Sequence, residues 1–175
     1  MLAPSQPIVA VHQPPASTTR QALLLRWGLV PSWASDQSVG HRMINARSET
    51  AHEKPSFRTP FRQQRCLVLA DGFYEWQKRD TKDLKLPHFI HLPDHRPFSF
   101  AGLWEPVQFQ DGVYNACAIL TTQANSHMQP IHDRMPVILS QSYQKLWLNG
   151  RRDNPDLCRV APTCRQVGSA RGAGV

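Results

Sequence analysis

No stretch of the chain comes near the roughly 20 consecutive apolar residues of a membrane helix, which excludes a helical span from the reading of these 175 residues. Cysteine is scarce: Cys66, Cys117, Cys158 and Cys164 are the only four, and their spacings match no common zinc or redox pattern. Cys66 and Cys117 sit in apolar runs, which points to buried thiols. A serine-hydrolase elbow of the form G-x-S-x-G is missing. The opening residues MLAPSQPIVAVHQPP have no basic segment leading into an apolar one, so no secretory leader is read there. Acidic residues are too few to balance the basic ones, 13 against 20. The net charge of +7 favours a polyanionic partner, nucleic acid first.

What the sequence has in quantity is punctuation. Fifteen prolines and nine glycines cut it into short pieces. PIVAVH (7–12), the start of ALLLRWGLVPSWA (22–34), LPHFIHL (86–92), PFSFAGLWEPV (97–107), VYNACAILTT (113–122) and RMPVIL (134–139) read as strands. RCLVLADGFYEWQK (65–78) reads as two strand segments joined at Asp71-Gly72, or one strand with a bulge. Asp111-Gly112 suits a tight hairpin turn. Ser48 is a possible helix start with Glu49 in the first turn, and Thr59 could cap another short helix. Ser140 opens a helix that carries Tyr143, Leu146 and Trp147 on one face and stops at Gly150. Many short strands with a few short helices predict an α+β fold built on a curved antiparallel, barrel-like sheet.

Three stretches set polar groups in rigid apolar frames. In MINARSET an extended backbone would point Asn45, Arg47 and Glu49 to one side, where they could orient a polar substrate and hold a phosphate; a surface turn with a salt bridge is the alternative. In DGFYEW alternation puts Phe73 and Glu75 on one strand face and Tyr74 and Trp76 on the other. Glu75 then either lines a partly dry pocket suited to proton transfer or points from a strand edge into water. In PIHDRMPVIL, His132 can exchange a proton near neutral pH and Arg134 can grip a phosphate, although a turn histidine is as common a use. Trp27 reads as core, while Trp33 after Pro31 reads equally as core or as a base-stacking surface. His88 and His91 would face opposite sides of a strand, which speaks against zinc. Neither a metal nor a cofactor is implied.

RWGLVPSWA, INARSET, F-R, CLVLADGFYEW, FAGLWE, ILTTQAN and IHDRMPVIL occur in that order across roughly residues 3 to 148. Together they resemble the SOS response-associated peptidase family, the abasic-site processing proteins (SRAP domain). The resemblance implies a curved, barrel-like β structure with a few helices and a basic cleft for single-stranded DNA. Family members capture the open-ring aldehyde of an abasic site. Their nucleophile is a cysteine directly after the initiator methionine, whose freed amine and thiol close a thiazolidine on the sugar C1′. Removal of that methionine is the self-processing behind the word peptidase.

By the same resemblance, Asn45 positions the cysteine and sugar, Glu75 shuttles protons, and His132 meets the sugar hydroxyl and phosphate. Arg47 and Arg134 fall where the family grips phosphates, and Thr121 where a threonine helps; Trp33 is the candidate stacking face. The expected partner is single-stranded DNA containing abasic sites, met by a monomer inside the cell, in the nucleus of a eukaryote or the cytoplasm of a bacterium. Leu2 stands where the family has its cysteine, and APSQPIVAVH resembles a strand that normally follows a few dozen further residues. Residues 1–150 are therefore expected to be a domain lacking its N-terminal segment and inactive in crosslinking. Non-covalent abasic-DNA binding, or an inactive isoform, is the alternative, and a peptidase acting on other proteins ranks last. Residues 151–175 leave the family pattern and are expected to form a divergent, flexible tail.

Overall fold

The computed structural model describes residues 2–78, 85–109, 112–149 and 168–171. Along the chain these form β1 (Pro7–His12), β2 (Gln21–Trp27), β3 (Asn45–Arg47), α1 (Arg58–Gln63), β4 (Arg65–Ala70), β5 (Phe73–Lys78), β6 (Lys85–His91), β7 (Phe98–Phe109), β8 (Gly112–Gln123), β9 (Arg134–Pro136), α2 (Gln141–Asn149) and β10 (Gly168–Arg171). The larger sheet runs β2-β1-β4-β7-β8, and β2 then meets β8 through Arg26↔Ala116 and Trp27↔Cys117. Five strands thus close into a small barrel, which leaves no open edge among them. Its neighbours are antiparallel except at that closure, so the sheet expected to be antiparallel is mixed. β3 and β9 are three-residue strands laid on β8 beyond the barrel proper, β3 parallel to it and β9 antiparallel.

Strand alternation decides what each face buries. Ile8 and Ala10 of β1, Cys66 and Val68 of β4, Phe100 of β7, and Cys117 and Ile119 of β8 fill the interior. Leu67, Leu103 and Leu120 face outward and are covered by Phe61 of α1 and by Trp147 and Leu148 of α2. Because β4 is covered on both faces, Arg65 to Val68 are all buried, which is why RCLV reads as a continuous run rather than an alternation. Arg65 fastens both helices: its Nε donates to the Trp147 carbonyl at 2.6 Å and its Nη1 to the Phe61 carbonyl at 2.9 Å. Each carbonyl lies in or near the last turn of its helix, where acceptors lack intrahelical partners.

β5, β6 and β10 form a second sheet of three strands. The chain crosses from the first sheet to the second at Gly72, where an added Cβ would collide with the Phe89 ring and lie 2.8 Å from the Ile90 carbonyl oxygen. Only glycine fits, and RCLVLADGFYEWQK is two strands in two sheets rather than one bulged strand. Phe73 packs edge-on against Phe100, closing the second sheet over the barrel. Residues 48–56 form consecutive turns instead of the expected helix, and α1 begins at Arg58, ahead of the expected cap Thr59. Asp111 lies outside the described residues, although Phe109↔Gly112 pair as a tight hairpin requires. Of the expected tail only Gly168–Arg171 is described, as β10 against β6; Cys158 and Cys164 lie outside the described residues.

Candidate functional site

The end of β8 gathers most of the residues singled out in the sequence. Its pairing with β7 stops at Gly102↔Ile119. Past that point β3 flanks it on one side and β9 on the other, aligning Arg47, Thr121 and Pro136 in one row. Alternation turns Asn45 and Arg47 to the side of Ile119 and Thr121, with Ala46 and Leu120 buried on the other side. Asn45 and Arg47 are both exposed. Among the described residues no carboxylate pairs with Arg47.

β3 ends at Arg47, and the turn that follows swings Glu49 across the end of β8. There the Arg134 guanidinium meets it as a fork, Nη1 to Oε1 and Nη2 to Oε2, each at 2.9 Å. Nη2 also donates to the Thr121 carbonyl at 2.7 Å, and the Thr122 hydroxyl donates to Glu49 at 3.3 Å. The Arg134 hydrogen bond, more than any other contact, holds the pKa of Glu49 below the usual carboxylate value. Of the two arginines expected at phosphate, Arg134 is engaged by Glu49, whereas Arg47 has no carboxylate partner among the described residues.

His132 comes from the loop between β8 and β9. Asn125 starts that loop by accepting the backbone N–H groups of His127 and Met128 at 3.1 and 3.0 Å, and Met128 anchors it in the barrel interior. The Arg134 backbone N–H donates to His132 Nδ1 at 3.0 Å. The same Nδ1 lies 3.2 Å from the Arg134 carbonyl oxygen, so Arg134 faces it with both a backbone donor and a backbone acceptor. Asp133 Oδ1 lies 3.1 Å from the same Nδ1 and becomes its partner when the ring is protonated.

Glu75 arrives from the other sheet. It shares a face of β5 with Phe73 and Gln77, the face turned to the barrel. Gln77 Nε2 donates to the Pro130 carbonyl at 2.8 Å, fastening this strand to the loop two residues before His132. His88 Nε2 donates to Gln77 Oε1 at 3.1 Å and braces it from β6. Glu75 itself is half-buried, and its Oε1 accepts the Trp76 backbone N–H at 3.1 Å. Among the described residues no hydrogen bond joins Glu75 to Asn45 or His132.

Trp33 is 62% exposed in the loop after β2. Trp27 is held by a hydrogen bond from Nε1 to the Ile44 carbonyl at 2.8 Å and packs on the interior, as its core reading requires. His88 is buried while His91 stacks on His95 at 4.1 Å on the outer face, so the two point apart. Among the described residues no three His, Cys, Asp or Glu side chains converge as metal ligands, and no helix is long and apolar enough to cross a membrane. Sequence reasoning missed Gln77, and it gave a surface turn with a salt bridge at MINARSET as an alternative without naming Arg134 as the partner of Glu49. Gln77 was within reach, since it alternates with Glu75; the pairing joins residues 85 positions apart and leaves no local signal.

The family model for the SOS response associated peptidase (SRAP) matches residues 1–169. The abasic site processing protein YoaM of Bacillus subtilis is 46% identical over 156 residues, covering 89% of this chain and 67% of that one. The abasic site processing protein HMCES of Xenopus tropicalis is 34% identical over 147 residues, covering 70% of this chain and 43% of its own length. Among solved structures, a Bordetella bronchiseptica protein superposes with a TM-score of 0.84 at 26% identity, covering 98% of this chain and 86% of the other. One from Bacteroides thetaiotaomicron gives 0.82 at 27%, covering 95% and 74%. Barrel, motif order and whole-chain likeness agree: this chain belongs to the SOS response associated peptidase family, whose curated relatives are abasic site processing proteins.

Proposed function

We propose that the end of β8 is a recognition site for abasic sites in single-stranded DNA. The observation that carries this reading is the joint placement of Arg47, with which no carboxylate pairs among the described residues, an exposed Asn45 and the half-buried ring of His132. Arg47 attracts a phosphate, with Thr121 and Arg134 framing the same end of the strand. Asn45 can both donate to and accept from a sugar, and His132 Nε2 donates to a sugar or phosphate oxygen. Glu75 takes the hemiacetal proton and returns it to the ring oxygen as the sugar opens to its aldehyde. Trp33 offers a ring on which an unpaired base stacks, which a base inside a closed duplex cannot do.

Covalent closure is a separate step. A thiazolidine forms when an amine condenses with the aldehyde, releasing water, and a neighbouring thiol adds to the resulting C=N carbon. Only an N-terminal cysteine carries amine and thiol on adjacent carbons. Cys66 and Cys117 have their amines in peptide bonds and are fully buried, so neither supplies that pair. Neither interior cysteine can close that ring, so this reading of the end of β8 concerns recognition of the abasic site.

The test is fluorescence anisotropy with three oligonucleotides, one abasic and single-stranded, one undamaged and single-stranded, and one duplex, across a salt series. Affinity is expected to fall in that order and to weaken steeply with salt. Equal affinity for duplex and single strand with no salt slope defeats the proposal. A heat-stable shifted band on a denaturing gel without reductant would show a nucleophile outside this account.

A further inference from the structure

We infer that Gln77 is a positioning residue of this site: bridging the Pro130 carbonyl and the His88 ring, it holds Glu75 against the loop that carries His132 and leaves its carboxylate free for a sugar hydroxyl. The inference rests on the abasic-site reading above and goes beyond it. Glu75 and His132 belong to different parts of the fold. The loop from Asn125 to Asp133 is the fixed member, closed by its own bonds: the Ala124 N–H donates to the Asp133 carbonyl and the His132 N–H to the Met128 carbonyl, each at 2.9 Å. β5 is the movable member. It is the edge of a three-stranded sheet, rooted in the barrel where Phe73 packs on Phe100 and Ile90 is buried. Gln77 lies four residues beyond that root, about 13 Å along the strand. There its Nε2 donates to the Pro130 carbonyl at 2.8 Å. Glu75 sits midway between root and tie, so the tie fixes how far its carboxylate stands from His132.

The polarity of the bridge follows from its ends. A proline carbonyl only accepts, so the Gln77 amide turns its nitrogen to Pro130 and its oxygen to His88. That oxygen also only accepts, so the buried His88 ring donates to it from Nε2 at 3.1 Å. His88 stands directly opposite Glu75 in the ladder, within reach of a cross-strand pair. Its proton goes to Gln77 instead, and among the described residues no side chain pairs with Glu75. A carboxylate kept in that state accepts the C1′ hydroxyl of a closed abasic sugar. A strand bearing all its bases has no such hydroxyl, and neither has a tetrahydrofuran abasic analogue.

The analogue therefore isolates what Gln77 contributes. Anisotropy is measured with three single strands: undamaged, tetrahydrofuran-containing, and natural abasic made by uracil excision. Wild-type protein is expected to bind the natural site about tenfold more tightly than the analogue, the scale of one hydrogen bond to a charged group. Gln77→Leu keeps the volume and removes both bonds. It is expected to bring that ratio close to one, while affinity for the undamaged strand and the salt slope stay at the wild-type values. His88→Leu leaves the Gln77 oxygen without its donor and should lower the ratio by about threefold, a weaker neutral bond. His88→Gln restores a donor at the place of Nε2 and should recover it. The two His88 variants carry the test if Gln77→Leu does not fold. An unchanged ratio in folded Gln77→Leu, or a wild-type ratio near one, overturns the inference while leaving the functional reading intact. Wild-type protein that binds abasic and undamaged strands equally overturns both.

Discussion

Glu49 is exposed and Glu105 is buried, and their pKa values move in opposite directions. Glu49 is lowered by the fork of Arg134, so the stability it lends is complete above the ordinary value near 4.5 and is lost as pH falls below it. Glu105, on β7, is 6% exposed, and no cation pairs with it among the described residues; burial raises its pKa, and the Ser32 backbone N–H offsets this only in part. Its Oε2 has no partner. The sign is then reversed: folding is favoured below the ordinary value, and stability is lost as pH rises through the raised folded value. Glu105→Gln keeps an acceptor for Ser32 and removes the charge. Its melting temperature is expected to exceed wild type by a few degrees at pH 8 and to match it at pH 4, by calorimetry; a lower value at pH 8 would mean the ionised form is paired. Glu75 is a different case, exposed enough to exchange protons and held by its own strand. In a chain engineered to begin Met-Cys, Glu75→Gln is expected to leave DNA affinity unchanged and to slow adduct closure by about 10²–10⁴-fold, the usual worth of acid–base help. Unchanged closure kinetics would make Glu75 structural.

Among the elements, α1 and α2 have six and nine residues, too short to be stable alone. They persist because Phe61, Trp147 and Leu148 cover the outer face of the barrel and because Arg65 takes a carbonyl from each. Burial lowers the pKa of Arg65 to about 10, still charged at neutral pH. Arg65→Met fills the space but leaves both carbonyls without a donor, and is expected to cost about 2–4 kcal/mol in urea denaturation. Arg65→Lys, a single point donor, cannot span both helices and should recover less than half of that; full recovery would show that charge alone matters. None of this clamp was legible in the sequence, where RCLV is simply an apolar run after an arginine. The longer strands were legible, since β1, β6, β7 and β8 carry their own alternation or apolar run between turn residues. β9 was legible as the start of RMPVIL, although its pairing stops at Pro136; β3 was not, because three residues hold too little pattern and its pairing with β8 is non-local. The site shows the same division. Asn45, Arg47, Thr121 and Arg134 converge because β3 and β9 both pair with the end of β8, whereas the turn that breaks INARSET after Arg47 sends Glu49 to Arg134 instead of leaving it beside Asn45.

At the scale of the whole molecule, the closure of the barrel depends on two residue pairs, Arg26↔Ala116 and Trp27↔Cys117, contributed by strands far apart in sequence. No local propensity announces such a contact; it forms because the twist of five strands brings the last edge back to the first. The closure predicts that the barrel opens as one unit, and the two interior cysteines can report it. Cys66 lies on β4 and Cys117 on β8, both fully buried. Burial pushes the Cys117 thiol up to about 12 and the Cys66 thiol well above its ordinary value. Neither has a thiolate to offer at neutral pH while the barrel is closed, and no reagent reaches either one. With Cys158 and Cys164 replaced by serine, labelling by a thiol-specific disulfide reagent at pH 8 is expected to be slow. Cys66 and Cys117 should react with equal rates, and those rates should rise together with urea along the global unfolding curve. Mass spectrometry of partly labelled protein distinguishes the outcomes. A population carrying the label on Cys117 alone would show that β8 leaves β2 before the rest of the barrel opens, and that the parallel seam is a gate rather than part of one cooperative core.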